Sequence, residues 1–454
     1  CLGADCPESN RCYLNRVRRE AATCQLLVVN HHLLFSDLAV RRSGFGEVLP
    51  RYESVIFDEA HHVEDVATLF FGFSFSKYQV VDLIADIDQA VRERYGEEKR
   101  LISASRALAG LNERFASLFP LQKGRFPLAN LLQENPALVK AKDSLLEGLH
   151  SLGEQLDRAK TQDEPWGHYL QRCEDLAECL QLIAVQPTVA VDDEQEGRYV
   201  HWFERTKKNL TLSATPVDIA EDLKTSLFDR VEHCVFTSAT LSIDANFSYF
   251  NARLGIPKDT ATYSFPSPFD YANQSLLYVP NNSFPNPNGL GYREKLHQEI
   301  KQLLLASEGR ALVLFTSFQA MELAWHNLQD QLVYPLLRQG SASRHQLLIS
   351  FTQETHSILF AVASFWEGVD VPGESLSMVI IDKLPFEVPS DPVIMSRINR
   401  IKANGGNPFF EFQVPRAVLA LRQGVGRLMR RSEDRGGIAI LDVRLFSKGY
   451  GRQF

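Results

Sequence analysis

Apolar positions along the chain follow two patterns, short β-branched runs and long stretches with helical spacing. Val55-Ile56-Phe57, His233 to Phe236, Ala311 to Phe315, Ser357 to Ala361, Met378 to Ile381 and Ile438 to Leu441 are apolar runs of strand length, as parallel strands buried on both faces require. The run Cys24 to Asn30, CQLLVVN, predicts a further strand with Cys24 as a small buried residue at its mouth, and Asn30 to Phe35 predicts the turn into the next helix. Tyr199 to Phe203 alternates like a returning strand. Between these runs the period lengthens. Val80, Leu83, Ile84, Ile87 and Val91 share one helical face, as do Leu145, Leu149, Leu152 and Leu156, and then Leu176, Leu180 and Ile183, with Cys173 and Cys179 read as core. From about Tyr78 to Val185 no strand is predicted, so an all-helical block interrupts an α/β region. Pro216 predicts the first turn of a helix. Pro, Ser and Asn gather at Phe265 to Phe269 and at Asn281 to Gly289, which predicts linkers there.

Composition narrows the class of partner. The 454 residues suffice for about two to four domains, and 44% hydrophobic with 23% charged residues is the balance of an ordinary soluble protein. A formal net charge of -8 excludes a polybasic nucleic-acid binder, so such a partner would have to be gripped by local basic grooves. No apolar run approaches the roughly 18 residues of a membrane span. Seven cysteines, an odd number in a long chain, predict a reducing, cytoplasmic setting. Cys1, Cys6 and Cys12 form a C-x4-C-x5-C run broken by Gly, Pro and Asn. That spacing is wider than zinc knuckles use and leans towards an iron–sulfur cluster, with three unrelated thiols as the alternative. The acidic run 192–197 is a solvated turn.

Chemistry gathers at the ends of the apolar runs. Asp58-Glu59-Ala60-His61 follows Val55-Ile56-Phe57, where ligands sit in open α/β sheets, and two carboxylates there suit a metal-bound nucleotide: Asp58 to hold the metal, Glu59 to deprotonate water. Of two similar tripeptides, Ser238-Ala239-Thr240 follows a strand-like run and is read as functional; Ser213-Ala214-Thr215 is read as a decoy. Three more loops stand out: Phe315 to Phe318 (FTSF), Ala363 to Gly373 (ASFWEGVDVPG) and Gln423 to Arg431 (QGVGRLMRR). Gln423, Arg427 and Arg430 at i, i+4 and i+7 predict one helical face aiming two guanidiniums at a phosphate, with Gly424 and Gly426 allowing close approach. A solvated basic helix end is the other reading of that face.

These motifs, in this order and around a helical insertion, resemble motifs II, III, V and VI of a superfamily 2 helicase. The cysteine run, IDKLPFEVPSDP and NGGNPFFEFQVPRAVLALRQGVGR narrow the resemblance to the bacterial DinG and YoaA branch of the XPD-like iron–sulfur helicases. The resemblance covers essentially the whole chain. It implies an α/β fold of two RecA-like motor domains, an all-helical arch inserted in the first, and the remnant of an iron–sulfur domain. The expected boundaries are 1–24 for the cluster remnant, 25–76 with 198–270 for motor domain 1, 77–197 for the arch and 271–454 for motor domain 2.

The implied activity is ATP-dependent 5′ to 3′ unwinding on single-stranded or forked DNA, with ATP, Mg²⁺ and a [4Fe–4S] cluster as cofactors and replication or repair proteins as partners. By position, Asp58 would hold Mg²⁺ and Glu59 activate water, while His61 would link nucleotide state to Ser238 and Thr240. Gly368 and Asp370 would face the nucleotide. Arg427 and Arg430 would reach the γ-phosphate, with Gln423 ordering the water or the ribose side, and Thr316 and Ser317 would touch the DNA backbone. Cys1, Cys6 and Cys12 would ligate the cluster. No G-x-x-x-x-G-K-[ST] loop occurs in the 454 residues, and the family's first cluster cysteine has no counterpart either. Both are expected upstream, which makes the chain a fragment expected to be inactive by itself. A non-catalytic DNA-binding or partner-docking scaffold and an RNA-directed DEAH helicase are the rival readings.

Overall fold

The computed structural model describes residues 11–43, 46–92, 99–159, 166–185, 197–362, 365, 371, 373–387, 389–426, 428–429, 431 and 433–454. These residues form two compact units. The first comprises 1–238, 251–257 and 388–404, and the second 239–250, 258–387 and 405–454. Compactness thus divides the chain differently from the sequence boundaries, because 239–250 and 258–270 go with the second unit and 388–404 with the first.

In the first unit, β1 (Ser54–Phe57) pairs in parallel with β6 (His233–Phe236), Phe57 facing Phe236. An antiparallel sheet of order β2-β5-β4-β3 is built from β2 (Phe73–Ser76), β3 (Gly124–Pro127), β4 (Tyr199–Arg205) and β5 (Leu210–Pro216). The predicted helical faces close on this sheet. Leu145, Leu149, Leu152 and Leu156 on helix Pro136–Ala159 are fully buried, as are Leu180 and Ile183 on helix Trp166–Ile183 and Val80, Leu83 and Ile87 on helix Lys77–Ala90. They share one core with Phe75, Phe203, Leu212 and Ala214 from the strands. A capping box starts the helix at Lys77: Ser76 Oγ accepts the Gln79 N–H, and Gln79 Oε1 accepts the Ser76 N–H.

Four local expectations need correction. The block from Tyr78 to Val185 is not strand-free, since Gly124–Pro127 pairs with β4 at the sheet's edge, a place where a proline is tolerated. Residues 24–30 form no strand. Leu26 and Val28 are 80% and 88% exposed and Cys24 is exposed too, because β propensity needs a paired, half-buried setting that this stretch lacks among the described residues. Pro216 closes β5 and opens no helix; the next one starts at Ala220. Finally, the stretch from Asn281 to Gly289 is more than a linker, for Phe284 is buried edge-on against Tyr292.

The second unit is a six-stranded, all-parallel sheet of order β7-β12-β11-β8-β10-β9, from β7 (Ser275–Tyr278), β8 (Ala311–Phe315), β9 (Leu336–Arg338), β10 (Ile358–Val362), β11 (Met378–Ile381) and β12 (Gly436–Ile440). Every residue of β8 and β10 is buried, as strands covered by helices on both faces must be. Apolar clusters on opposite faces of the sheet use alternate residues: Ala311, Val313 and Phe315 in one, Leu312 and Leu314 in the other.

The shared core of helices and sheet sets a stability expectation. Leu149→Ala should lower unfolding free energy by about 2–5 kcal/mol in chemical denaturation. At Leu121, which is 81% exposed, the same truncation should change it by no more than about 0.5 kcal/mol.

Candidate active site

The turn after β1 is fixed by its pairing with β6. Phe57, 1% exposed, stacks on Phe236 at 5.1 Å between ring centroids. Beyond the strands the ladder continues, with Thr237 N–H donating to Phe57 O (2.9 Å) and Ala60 N–H to Thr237 O (3.0 Å). Between these bonds the chain turns sharply at Glu59, whose φ of 48° and ψ of 47° are left-handed. For a residue with a Cβ this costs about 1–2 kcal/mol, and such strain clusters at functional sites. Asp58 Oδ1 accepts the Glu59 N–H (3.0 Å) and so supports the turn.

Three predicted side chains meet there. His61 Nδ1 lies 2.8 Å from Ser238 Oγ and 3.3 Å from Glu59 Oε2, and Ser238 Oγ lies 3.2 Å from Glu59 Oε2. With the Ser238 hydroxyl donating to Glu59, its oxygen accepts from His61 Nδ1–H, which fixes the imidazole tautomer. Asp58 and Glu59 are exposed, whereas the His61 side chain is only 13% exposed. The arrangement presents a strained, oriented carboxylate beside a second one at a strand's carboxyl end, which suits proton abstraction next to a hard cation. His31, half-buried beside Phe57 with ring centroids 5.7 Å apart, titrates below the usual histidine range because of its burial.

In the second unit, Thr240 is buried and its Oγ1 lies 3.4 Å from Gln423 Nε2. Next to Gln423, Arg422 Nη1 donates to Ser242 O (2.8 Å). The helix carrying Gln423 runs Val414–Val425 and ends in a turn at Gly426, so a single helical face cannot extend from Gln423 to positions i+4 and i+7. Arg427 and Arg430 lie outside the described residues, as do Gly368, Asp370, Cys1 and Cys6. The tripeptide Ser213-Ala214-Thr215 sits inside β5, where Thr215 Oγ1 accepts the Trp202 indole N–H (2.8 Å).

Thr316 and Ser317 follow β8, and neither hydroxyl simply points to solvent. Thr316 donates its N–H (3.0 Å) and hydroxyl (3.2 Å) to the Asp382 carboxylate, and Ser317 Oγ caps helix Phe318–Leu328 by accepting the Ala320 N–H. Asp382, 1% exposed at the end of β11, also accepts the Lys383 N–H (2.8 Å), while its own carbonyl accepts the Tyr292 hydroxyl (2.7 Å). Asp442, fully buried after β12, accepts the Leu384 N–H and a two-pronged contact from Arg444. Sequence reading missed these two carboxylates. The signal was present, since Asp382 follows the apolar run Met378 to Ile381 just as Asp58 follows Val55-Ile56-Phe57.

Residues 300–454 match the helicase C-terminal domain family. The whole chain is 38% identical to the ATP-dependent DNA helicase YoaA of Haemophilus influenzae, spanning 69% of that protein. It is 37% identical to YoaA of Escherichia coli, spanning 70%. Over 99% of its length it is 33% identical to the ATP-dependent helicase DinG of Mycobacterium tuberculosis, spanning 66%. A solved XPD helicase matches with a TM-score of 0.58 at 14% identity over 92% of this chain and 70% of that one, and S. tokodaii Xpd4 with 0.54 at 14% over 91% and 77%. This structural likeness shows the fold, an α/β chain with two RecA-like domains.

The buried carboxylate of the second unit gives a pH expectation. Burial raises Asp382 from 3.8 to about 7, against the pull of Lys383 and the Thr316 donors. The folded state therefore keeps a proton that the unfolded chain has lost, and stability falls as pH rises from about 4 to about 7, by about 4 kcal/mol at most. Asp382→Asn should remove that part of the slope in denaturant titrations at stepped pH. Parallel profiles for parent and variant would contradict it.

Proposed function

Because this chain belongs to the family of ATP-dependent DNA helicases that contains YoaA and DinG, we propose that it moves 5′ to 3′ along single-stranded DNA in repair or replication and hydrolyses ATP at the turn after β1. The observation that carries this reading is the convergence of Glu59, His61 and Ser238 within 3.3 Å of one another on a strained turn.

In this reading Glu59 takes the proton of the attacking water, and Ser238 and His61 hold its carboxylate in one orientation. The exposed Asp58 carboxylate offers the hard oxygen that Mg²⁺ takes, and the ion when bound neutralises phosphate charge. Any shift of Ser238 changes the hydrogen bonding of both Glu59 and His61, which is a physical route from nucleotide state to β6. Arg427 and Arg430 are assigned to the γ-phosphate, Gln423 to water or ribose, and Gly368 with Asp370 to the nucleotide. Thr316 and Ser317 are assigned to the DNA backbone, on a loop that Asp382 holds in shape.

A [4Fe–4S] cluster on Cys1, Cys6 and Cys12 belongs to the same proposal. Of these thiols the described residues include Cys12, at the start of helix Tyr13–Thr23, and among the described residues no group of three His, Cys, Asp or Glu is arranged to hold a metal. Cys24 sits at the other end of that helix, roughly 18 Å away along its axis, too far to share one cluster with Cys12. No step of the hydrolysis is routed through the cluster. Among the described residues no helix is long and apolar enough to cross a membrane.

Glu59→Gln in the full gene product should cut DNA-stimulated ATP hydrolysis by at least about 10²-fold, because an amide cannot accept the proton, while nucleotide binding stays within a fewfold. Phosphate release and nucleotide fluorescence titrations measure the two. Turnover close to the parent's would remove Glu59 from the role of base. Arg430→Ala should lower turnover far more than ATP affinity; weakened DNA binding with normal turnover at saturating DNA would assign it to the DNA track instead. A 5′-tailed and a 3′-tailed duplex read the direction, and equal unwinding of both would contradict the polarity.

A further inference from the structure

Two stretches of chain depart from the second unit and pack within the first: residues 251–257 and 388–404. Each brings an arginine to the same carboxylate. Arg253, near the end of helix Ser248–Leu254, donates Nη2 (2.7 Å) and Nε (3.1 Å) to Glu64 Oε1. Arg397, within helix Pro392–Ala403, places Nη1 2.8 Å from that same oxygen and donates Nη2 to Thr68 Oγ1 (3.3 Å). Thr68 in turn donates its hydroxyl to the Glu64 carbonyl (2.6 Å). Glu64 and Arg397 are 8% and 4% exposed. Glu64 is the second residue of helix Val63–Phe70, which continues directly from the turn Ala60–His62, so its carboxylate lies three residues past His61.

A buried carboxylate held by two guanidiniums is a poor device for stability alone. Desolvating three charges offsets most of their attraction. It is a good device for registry, because one oxygen gripped from two separate segments holds both at the start of helix Val63–Phe70, and losing the carboxylate would deprive both guanidiniums of it at once. Both arginines lie on excursions of the second unit's chain, and both end one helical turn from the catalytic residues. Arg400 on the same helix offers a contrast: its pair with Asp218 is 3.4 Å long and its two side chains are 49% and 40% exposed, which leaves it little energetic weight.

We infer that Glu64, clasped by Arg253 and Arg397, is a positioning residue that sets the turn Asp58–His62 and ties it to the segments 251–257 and 388–404. The inference rests on the assignment of that turn to ATP hydrolysis. In the full gene product, Arg397→Ala should speed amide hydrogen exchange both at 58–62 and at 251–257. It should also lower DNA-stimulated kcat roughly 10- to 100-fold, as a displaced catalytic group does, while KM for ATP stays within about twofold. Arg397→Lys, which keeps the charge and loses the fork, should fall between parent and Arg397→Ala, and it carries the exchange test if the alanine variant fails to fold. Arg400→Ala should match the parent in every readout. Unchanged exchange at 58–62 in the Arg397 variants, or an Arg400→Ala effect as large as theirs, would overturn the inference. A parent that shows no DNA-stimulated hydrolysis would instead remove the hydrolytic reading, and the exchange at 58–62 would still decide whether the clasp sets the turn.

Discussion

Four rungs of parallel pairing, from Ser54 with His233 to Phe57 with Phe236, carry more of the site than any single side chain does. A parallel ladder fixes register along the whole strand, and the two bonds beyond it, Thr237 to Phe57 and Ala60 to Thr237, extend that register into the loops. Ser238 is thereby delivered beside His61, 177 residues earlier in the chain. A slip of one residue would place Thr237 or Ala239 there and turn every neighbouring side chain to the opposite face. The left-handed conformation of Glu59 follows from the same constraint, since the chain must leave β1 and enter the turn Ala60–His62 without breaking the bond from Ala60 to Thr237.

The second unit solves a similar problem by other means. Its parallel sheet ends in loops whose backbone amides need partners, and two buried carboxylates supply them: Asp382 for Thr316 and Lys383, Asp442 for Leu384 and Arg444. Tyr292 spans the two strand ends by donating to the carbonyls of Asp382 and Leu441. Such a network is stiff when fully satisfied and costly when broken. It holds the loop after β8 in one shape. The Thr316 N–H and hydroxyl are both spent on that task, so whatever the loop contacts meets the other groups around Ser317.

The parallel strands of the second unit were legible because strands covered on both faces have no polar alternation to hide them, and the long helices because their leucines recur on one face. Glu59 and Ser238 stood out through the same logic, as polar residues soon after apolar runs, whereas the role of His61 was implied only by the resemblance to the helicase motifs. What failed has identifiable physical causes. The stretch 24–30 has the composition of a strand, yet strand formation depends on a partner that composition does not encode. Gly124–Pro127 has no apolar alternation and is a strand only because β4 offers it an edge. The supposed helical face from Gln423 onwards ignored that Gly424 and Gly426 disfavour helix, and the helix stops at Val425.

The carboxylates that sequence reading passed over share a property. Asp382, Asp442 and Glu64 act by holding neighbours, and a holding residue has no motif, because its partners come from distant parts of the chain: 66 residues for Asp382 with Thr316, 58 for Asp442 with Leu384, 189 for Glu64 with Arg253. Residues that meet a ligand are constrained by the ligand's fixed chemistry, and so recur in readable patterns. Residues that set geometry are constrained only by burial and charge balance, which many side-chain combinations satisfy. For a buried carboxylate the balance is strict, since each oxygen must find donors or give up its charge. That strictness is what makes Glu64 informative. Two arginines from separate segments converge on one of its oxygens, so the place of that oxygen is set from both segments at once in the interior of the first unit.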